Sequence, residues 1–519
     1  MKITRRDGLW VGAGAITAAG AGFAFNWIVA RGLGPGGTGV VLSFATWFTI
    51  LLTLGKIGTD TAVMREGART VAGATPISAA RYVFLALRIV MPLSVVMAIA
   101  LWVAAPYVTD LLASDSGSDP VAIIRLGAVL LPFAIVGFIL LAALRGLGQV
   151  GPFVSIEQIL KPAARVISAL VVFVLGVASA FAYSAAWALP TIIGFAATLY
   201  LVARSRKQWK VRDASDRTER RDANRDLWKF AMPRAVAQGV DILNASVGVV
   251  LLAAMSGATA TGLFGTALRI VLAGQLSYHA VRLLIAPVIA HRLARDDIPS
   301  TQAVYTSSNS LVVVLSWPLY FLILGAAEPV LRLFGSGFTE AAWILRVLVF
   351  VAIAVALLGN MQTVVLMSGR SRPALGATTI GLMSTTVVTL ALVPVWGGMG
   401  AALGWGAGVL AEATLLALIM LRMGLRPAAG PTLNLAGRTL LVLGAGSAVF
   451  ELSGHHYLIG ALAYLAALMI WAWWCRQQVM AAWRALSTGH GADERTPGTD
   501  DDRGIGHPGE STQNSGVTL

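Results

Sequence analysis

The sequence predicts an all-α polytopic membrane protein that crosses the bilayer about fourteen times. Apolar stretches of membrane-spanning length follow one another from residue 8 to residue 475, and Arg and Lys fall almost entirely in alternate connections between them. The composition agrees, because 57% of the residues are hydrophobic, 12% are charged, and the 55 glycines suit the close helix approach found in membranes. Since basic connections mark the cytoplasmic side, both chain ends are predicted to be cytoplasmic.

The predicted spans are residues 8–30, 37–57, 81–105, 121–144, 162–181, 182–203, 230–255, 262–290, 304–327, 342–367, 373–395, 399–421, 433–452 and 456–475. The first exceeds the usual apolar region of a secretory signal, so we interpret it as an uncleaved span. Residues 204–229 form a basic linker that we expect on anionic membrane lipids, at about 1 kcal/mol per cation. A topology anchor without a substrate role is the alternative. The tail, residues 487–519, has no apolar period and is predicted to be disordered.

Topology also explains the net charge of +14. The basic residues of the cytoplasmic connections, apart from the linker, are Lys56, Arg65, Arg69, Arg81, Arg145, Lys161, Arg292, Arg295, Arg370, Arg372, Arg422, Arg426, Arg438, Arg476 and Arg484. The outer connection at residues 106–120 is acidic instead, with Asp110, Asp115 and Asp119. This one-sided distribution argues against nucleic acid as a partner. Cys475 is the single cysteine, which excludes disulfides within the chain and thiolate metal clusters, and we predict neither a metal nor a cofactor.

An internal repeat predicts how the spans are organised. The motif GxxxTG occurs at residues 34–39, before the second span, and again at residues 257–262, before the eighth. Gly148 and Gly369 recur with almost the same shift. Because an even number of spans separates the copies, the two halves have the same orientation and are related by an axis along the membrane normal. We therefore predict two six-helix bundles, residues 1–203 and 230–421, followed by two additional helices at residues 433–475.

Three segments carry recognisable motifs. The first is Arg31-Gly32-Leu33-Gly34-Pro35 with Gly39, followed by Leu54-Gly55-Lys56-Ile57-Gly58-Thr59 and Arg65. The others run from Phe334-Gly335-Ser336-Gly337-Phe338 through Met367-Ser368-Gly369-Arg370 to the stretch at residues 394–402. Together they resemble the polysaccharide and lipid-linked oligosaccharide flippases of the multidrug/oligosaccharidyl-lipid/polysaccharide exporter superfamily. The resemblance implies a V-shaped pair of bundles, alternating access in a bacterial plasma membrane, a polyprenyl-pyrophosphate-linked glycan as cargo, and a link to a glycan polymerase or ligase.

The cargo defines which residues the chain should contribute. Each hydroxyl of a glycan costs several kcal/mol when it enters hydrocarbon unpaired, so a wet cavity between the bundles is required. The pyrophosphate needs cations there, and the planar fork of Arg binds phosphate oxygens in pairs. An inside-negative potential would favour outward transfer by about 2.3 kcal/mol per charge per 100 mV. The chain has no GxxxxGK[ST] motif for ATP.

Polar residues inside spans are the candidates for this cavity. In the seventh span Arg234, Gln238 and Asp241 follow i, i+4, i+7 spacing and share a face, with Asn244 close by. The candidates for substrate binding are Arg88, Arg234, Gln238, Asp241, Arg269, Gln275 and Arg282, and those for coupling to a proton or sodium ion are Asp241, His279 and Glu412. Further polar residues are Asn26, Asp60, Arg65, Arg81 and Arg125. Each role has a structural alternative. Arg65, Arg81 and Arg234 could snorkel to the interface, Arg234 could pair with Asp241, and His279 could be a hydrogen-bonded structural residue.

Two other functions stay open at the level of sequence. A drug or cation antiporter of the same superfamily would need acidic and aromatic groups around its cationic substrate, whereas the deep charges here are mostly Arg. A membrane glycosyltransferase using a polyprenyl-phosphate sugar would need carboxylates on an outer loop, for which Asp110, Asp115 and Asp119 are available. No large outer domain accompanies that loop, so we expect a transporter and no enzyme.

Overall fold

A computed structural model describes residues 5–73, 78–109, 119–205, 209, 217–428, 430–454 and 456–488. Every regular element in these ranges is helical, and none is a strand, which confirms the predicted all-α fold class. Eleven helical segments within the described ranges are long and apolar enough to cross a membrane. The two longest each contain a break and are long enough for two crossings, and the total of fourteen remains a prediction.

Helices of the first part of the chain precede the basic linker. They are α1 (Arg5–Gly55), α2 (Thr59–Val71), α3 (Ala79–Ala104), α4 (Pro120–Gly146), the short α5 (Gly151–Phe153), α6 (Lys161–Val174), α7 (Ala180–Ala188) and α8 (Pro190–Arg204). A π-helical turn, Val154–Leu160, joins α5 to α6. Such turns occur often at functional sites.

Helices of the second part begin inside the linker. They are α9 (Arg217–Gly274), α10 (Leu276–Leu293), α11 (Ile298–Gly325), α12 (Ala327–Arg332), α13 (Ala342–Leu358), α14 (Met361–Met367), α15 (Ser371–Trp396), α16 (Gly398–Arg422), α17 (Gly430–Leu452) and α18 (Tyr457–Thr488). The last two pack on each other and on α11. The division into two bundles and two additional helices remains our proposal.

The two longest helices break at the same point of the sequence repeat. Gly34 in α1 has φ 66° and ψ −172°, and Gly257 in α9 has φ 79° and ψ −176°. Only glycine adopts such angles without strain. After each break, the hydroxyl of the threonine four residues later donates a hydrogen bond to the glycine carbonyl. The distance is 2.6 Å from Thr38 to Gly34 and 2.8 Å from Thr261 to Gly257. The repeat seen in the sequence is thus also a repeat of backbone geometry.

Several predicted boundaries are wrong. The predicted fifth span ends too late, because α6 stops at Val174 and Ser179 caps α7. Gln275 divides the predicted eighth span, and residues 359–360 divide the tenth. The helix α2 lies where we predicted only a basic connection, since a short polar helix leaves no hydropathy signal.

The linker and the tail are described only in part. The linker is helical from Arg217 onward and continues into the seventh span, whereas residues 206–208 and 210–216 lie outside the described residues. The last helix reaches Thr488, so the beginning of the predicted disordered tail is helical. Residues 489–519 lie outside the described residues, as do Asp110 and Asp115.

Candidate functional site

A cavity with several polar groups in a mostly apolar lining lies inside the second part of the chain, among α9, α10, α11, α13, α14 and α16. It encloses about 330 Å³. Its polar lining residues include Asp241, Asn244, Gln275, Tyr278 and Glu412. Polar groups within membrane-spanning helices must pair or face water, and this cavity provides the water-accessible space.

Glu412 is an acid of this cavity that accepts hydrogen bonds from two neighbouring side chains. Thr378 Oγ1 donates to Glu412 Oε1 at 2.8 Å, and Asn244 Nδ2 donates to Oε2 at 3.4 Å. Asp241 lies close enough to interact electrostatically with Glu412, and also with Arg234 and Arg282. Two neighbouring carboxylates with hydroxyl and amide groups around them can exchange a proton or hold a small cation. No cluster of three or more His, Cys, Asp or Glu that could hold a metal occurs among the described residues.

A pair of arginines from the two parts of the chain lies well inside two predicted spans. Arg269 is about 18 Å along α9 from the break at Gly257, and Arg165 is about 14 Å from the C-terminal end of α6. Their guanidinium groups are close enough to interact electrostatically. Both side chains keep some accessible surface although protein atoms surround them.

This arginine pair lacks sufficient counter-charge. Arg165 donates to the Trp187 carbonyl at 2.9 Å and stacks on the Trp187 ring. The nearby acid Glu157 pairs with Lys161 at 2.8 Å. Within the described parts of the chain, no carboxylate forms an ion pair with Arg269. A buried, unpaired cation is costly, so the geometry suits an anion that arrives from outside the chain.

The two parts of the chain touch through the glycine motifs, at the end that we predict to be the outer one. A Cβ atom at Gly39 would overlap the carbonyl oxygen of Ala258, and one at Gly262 would overlap that of Pro35. Trp27 Nε1 and Arg31 Nε each donate to the Leu333 carbonyl at 2.7 Å. These contacts join the two parts of the chain at this end.

The two parts also contact each other at the opposite end, which we predict to be the cytoplasmic one. Lys56 and Asp60 form a buried ion pair at 3.1 Å, and Gln238 donates to both oxygens of Asp60 at 3.3 and 3.4 Å. A Cβ at Gly58 would overlap the Ala231 carbonyl of α9. The two parts of the chain therefore contact each other at both ends.

Three of the predicted site residues line the cavity, namely Asp241, Gln275 and Glu412. Gln238, from the same helical face as Asp241, instead contacts Asp60 outside the cavity. Arg269 lies at the arginine pair rather than in the cavity. Their assignment to substrate or ion binding remains a prediction.

The remaining candidates lie elsewhere. Arg234 and Arg282 are exposed near Asp241, on the second part of the chain. Arg88 is exposed on the same face of α3 as Phe84 and Met91, so it does not line the cavity. The side chain of His279 lies outside the described part.

Sequence reasoning missed two residues of these sites. Arg165 follows Lys161 by one helical turn, and we had assigned only Lys161, as part of the cytoplasmic side. Thr378 is one of many threonines in apolar spans, so nothing in the sequence distinguishes it. Asp119, considered for catalysis, instead caps α4 by accepting from the Ala122 amide at 3.1 Å.

The two broken helices and the eleven apolar segments long enough to cross a membrane define the described part of the chain as a polytopic all-α membrane protein. The chain belongs to the family of polysaccharide biosynthesis proteins, whose sequence model matches residues 4–293. No curated protein matches it in sequence.

Solved structures agree with this fold. One is a lipid II flippase, MurJ, in an inward closed conformation, with 12% identity and a TM-score of 0.67 over 91% of this chain and 100% of that one. Another is an inward-facing multidrug resistance MATE transporter of the MOP superfamily, with 14% identity and a TM-score of 0.64 over 80% of this chain and 98% of that one. A MOP superfamily transporter from Pyrococcus furiosus, whose binding pocket is described as having reverse polarity, has 16% identity and a TM-score of 0.55, covering 80% and 95%.

Proposed function

We propose that this protein is a flippase that moves a polyprenyl-pyrophosphate-linked oligosaccharide, or a polysaccharide repeat unit, across the plasma membrane of a bacterium. Membership of the polysaccharide biosynthesis family supports a glycan cargo. The structural likeness to a lipid II flippase supports transport of such a cargo on its lipid carrier. Both chain termini are cytoplasmic in this proposal, as the basic connections predict.

The arginine pair is the observation that carries the proposal. A polyprenyl pyrophosphate brings about two negative charges to the membrane interior, and the Arg165–Arg269 pair offers two cations without sufficient counter-charge. Arg remains charged when buried and binds phosphate oxygens with a planar fork, which suits it to this role. Since the two arginines come from different parts of the chain, relative movement of these parts would change the affinity for the anion.

Alternating access follows from the contacts at the two ends. The outer contact at Gly39 and Gly262 consists of helix backbones, and the inner contact at Asp60 and Gln238 consists of polar side chains. Opening one contact while the other holds would expose the arginine pair to one side of the membrane at a time. Residues 1–203 would rock against residues 230–421 in this scheme.

The cavity acids supply a site for ion coupling. Glu412 and Asp241 are proposed to bind a proton or a sodium ion, whose entry would bias the equilibrium between the two orientations. A membrane potential acting on the anionic cargo would add to this bias. A glycan polymerase or ligase on the outer side is the partner that the product requires, because the exported unit must be consumed there.

A cation antiporter is the second candidate, and the same cavity favours it. Two acids together with Tyr278, Tyr320 and Trp405 form the kind of lining that binds organic cations. A glycosyltransferase receives less support, because Asp119 is engaged in capping its helix.

Equilibrium binding to the purified protein in detergent separates these functions. We expect a polyprenyl-pyrophosphate-linked oligosaccharide to bind at least tenfold more tightly than a polyprenol of equal length. Arg269→Gln and Arg165→Gln should remove this difference, whereas Arg422→Gln, at an exposed helix end, should keep it. Preference of the wild type for tetraphenylphosphonium over the pyrophosphate would overturn the proposal in favour of an antiporter.

A further inference from the structure

A break in a membrane helix exposes backbone groups within the second part of the chain. The helix α13 ends at Leu358 and α14 begins at Met361, and Gly359 between them has φ 60° and ψ −142°. The break lies about 13 Å from the inner end of an otherwise continuous apolar stretch. Irregular backbone at this depth is tolerated only where it is buried in protein or lines a wet cavity.

Neighbouring hydrogen bonds fix the orientation of an amide at this break. The Tyr305 hydroxyl donates to the Leu358 carbonyl, and Asn309 Nδ2 donates to the same oxygen at 3.3 Å. Because its nitrogen faces Leu358, the Oδ1 atom of Asn309 is turned to Gly359, where a Cβ would overlap it. Glycine is required at this position for two reasons, the positive φ and the close approach of the amide.

The polar atoms around the break lack partners. The Oδ1 atom of Asn309 and both amide atoms of Asn360 have no hydrogen-bond partner among the described residues. Asn309 is 1% exposed and Asn360 is fully buried. A buried polar atom without a partner costs about 1–3 kcal/mol, so these three atoms beside one helix break indicate a binding site.

The chemistry of the break favours a cation. The C-terminal end of α13 carries a partial negative charge from the helix dipole, and its last carbonyls point toward the break, although that of Leu358 already accepts from Tyr305 and Asn309. The unpartnered side-chain oxygens of Asn309 and Asn360 are neutral and hard, which suits an alkali-metal ion. Gly359, Met361 and Gln362 also line the cavity that contains Asp241 and Glu412, so an ion can reach the break from there.

We propose that the break at Gly359 binds one alkali-metal cation through the oxygens of Asn309 and Asn360 and the freed backbone carbonyls. This site is separate from the carboxylate pair, and it carries no ionised ligand of its own. The inference does not depend on the identity of the cargo, because binding of the ion requires no transport.

Equilibrium binding of radiolabelled sodium to the purified full chain tests this site. The Glu412→Gln variant removes the charge of Glu412 and should retain saturable sodium binding. Adding Asn309→Leu or Asn360→Leu in that background should weaken this binding at least tenfold, whereas Asn434→Leu, at an exposed position of α17, should not. Potassium should compete to some degree, and choline should not.

Two results would overturn the proposal. One is the absence of saturable sodium binding in Glu412→Gln, and the other is unchanged binding after both asparagines are replaced, which would mean that only water occupies the break. If the asparagine variants fail to fold, the melting temperature of Glu412→Gln provides a second readout. It should rise with sodium chloride but not with choline chloride at equal ionic strength, because a ligand stabilises the state that binds it. Equal melting temperatures in both salts would refute the site.

Discussion

The outer contact between the two glycine motifs gives a quantitative prediction for Gly39→Ala. A methyl group at Gly39 would overlap the backbone carbonyl of Ala258, and backbone cannot yield as a flexible side chain does. Overpacking of this kind costs about 1–3 kcal/mol. If the cost falls on the outer-closed state alone, the outer-open population should rise between about fivefold and about a hundredfold, since each 1.4 kcal/mol is a factor of ten.

A single reporter cysteine can measure this shift. Cys475 is the only cysteine, so Cys475→Ser gives a background without thiols. Leu42 is 4% exposed and contacts Gly265 just below the glycine contact, so Leu42→Cys should be accessible from outside only when that contact opens. Labelling by a membrane-impermeant maleimide in intact cells should accelerate by the factor given above.

The repeat supplies both a second test and a control. Gly262→Ala should accelerate labelling to a similar extent, because its Cβ would overlap the Pro35 carbonyl in the equivalent way. Gly22 lies in the same helix as Gly39, but a Cβ there would have no atom within 4 Å. Gly22→Ala should therefore leave the labelling rate unchanged. Equal labelling rates in Gly39→Ala and Gly22→Ala would refute the assignment of this contact as an outer gate.

Three further substitutions follow from the structure. Lys56→Met leaves Asp60 buried without its cation and should lower the free energy of unfolding by about 3–5 kcal/mol. A melting curve checks this loss of stability. Adding Asp60→Leu should restore much of it, because no unpaired charge then remains buried. Glu412→Gln should leave folding intact but remove any dependence of transport on the proton or sodium gradient, and a gradient-dependent variant would contradict our assignment. Trp27→Phe removes one donor to the Leu333 carbonyl, a hydrogen bond worth about 1 kcal/mol. The labelling rate of Leu42→Cys should therefore rise about fivefold in the same assay. An unchanged rate would argue against the gate.

Hydropathy and glycine chemistry explain why much of the fold could be predicted. The length of an apolar run shows whether it can span a membrane. The breaks at Gly34 and Gly257 could be located because the motif GxxxTG occurs twice. The break at Gly359 could not, since a single glycine in an apolar run does not reveal its φ angle. A hydropathy profile continues through such a break unchanged.

The candidate sites were less predictable because they depend on contacts between distant segments. Helical spacing places Asn244 close to Asp241, and both line one cavity. The same spacing placed Gln238 with them, although it contacts Asp60, which is 178 residues away in the chain. The pairing of Arg165 with Arg269 likewise joins two parts of the chain, and no local pattern encodes it.

Flipping in proteoliposomes tests the central claim most directly. Purified protein is reconstituted with a polyprenyl-pyrophosphate-linked oligosaccharide, and the glycan that appears on the opposite leaflet is quantified with and without an imposed potential. We expect wild-type protein to move the glycan, a potential favouring anion transfer to accelerate it, and Arg269→Gln to reduce the rate at least tenfold while remaining folded. Movement no faster than in protein-free liposomes, or an equal rate in the folded Arg269→Gln variant, would contradict an anion-guided flippase.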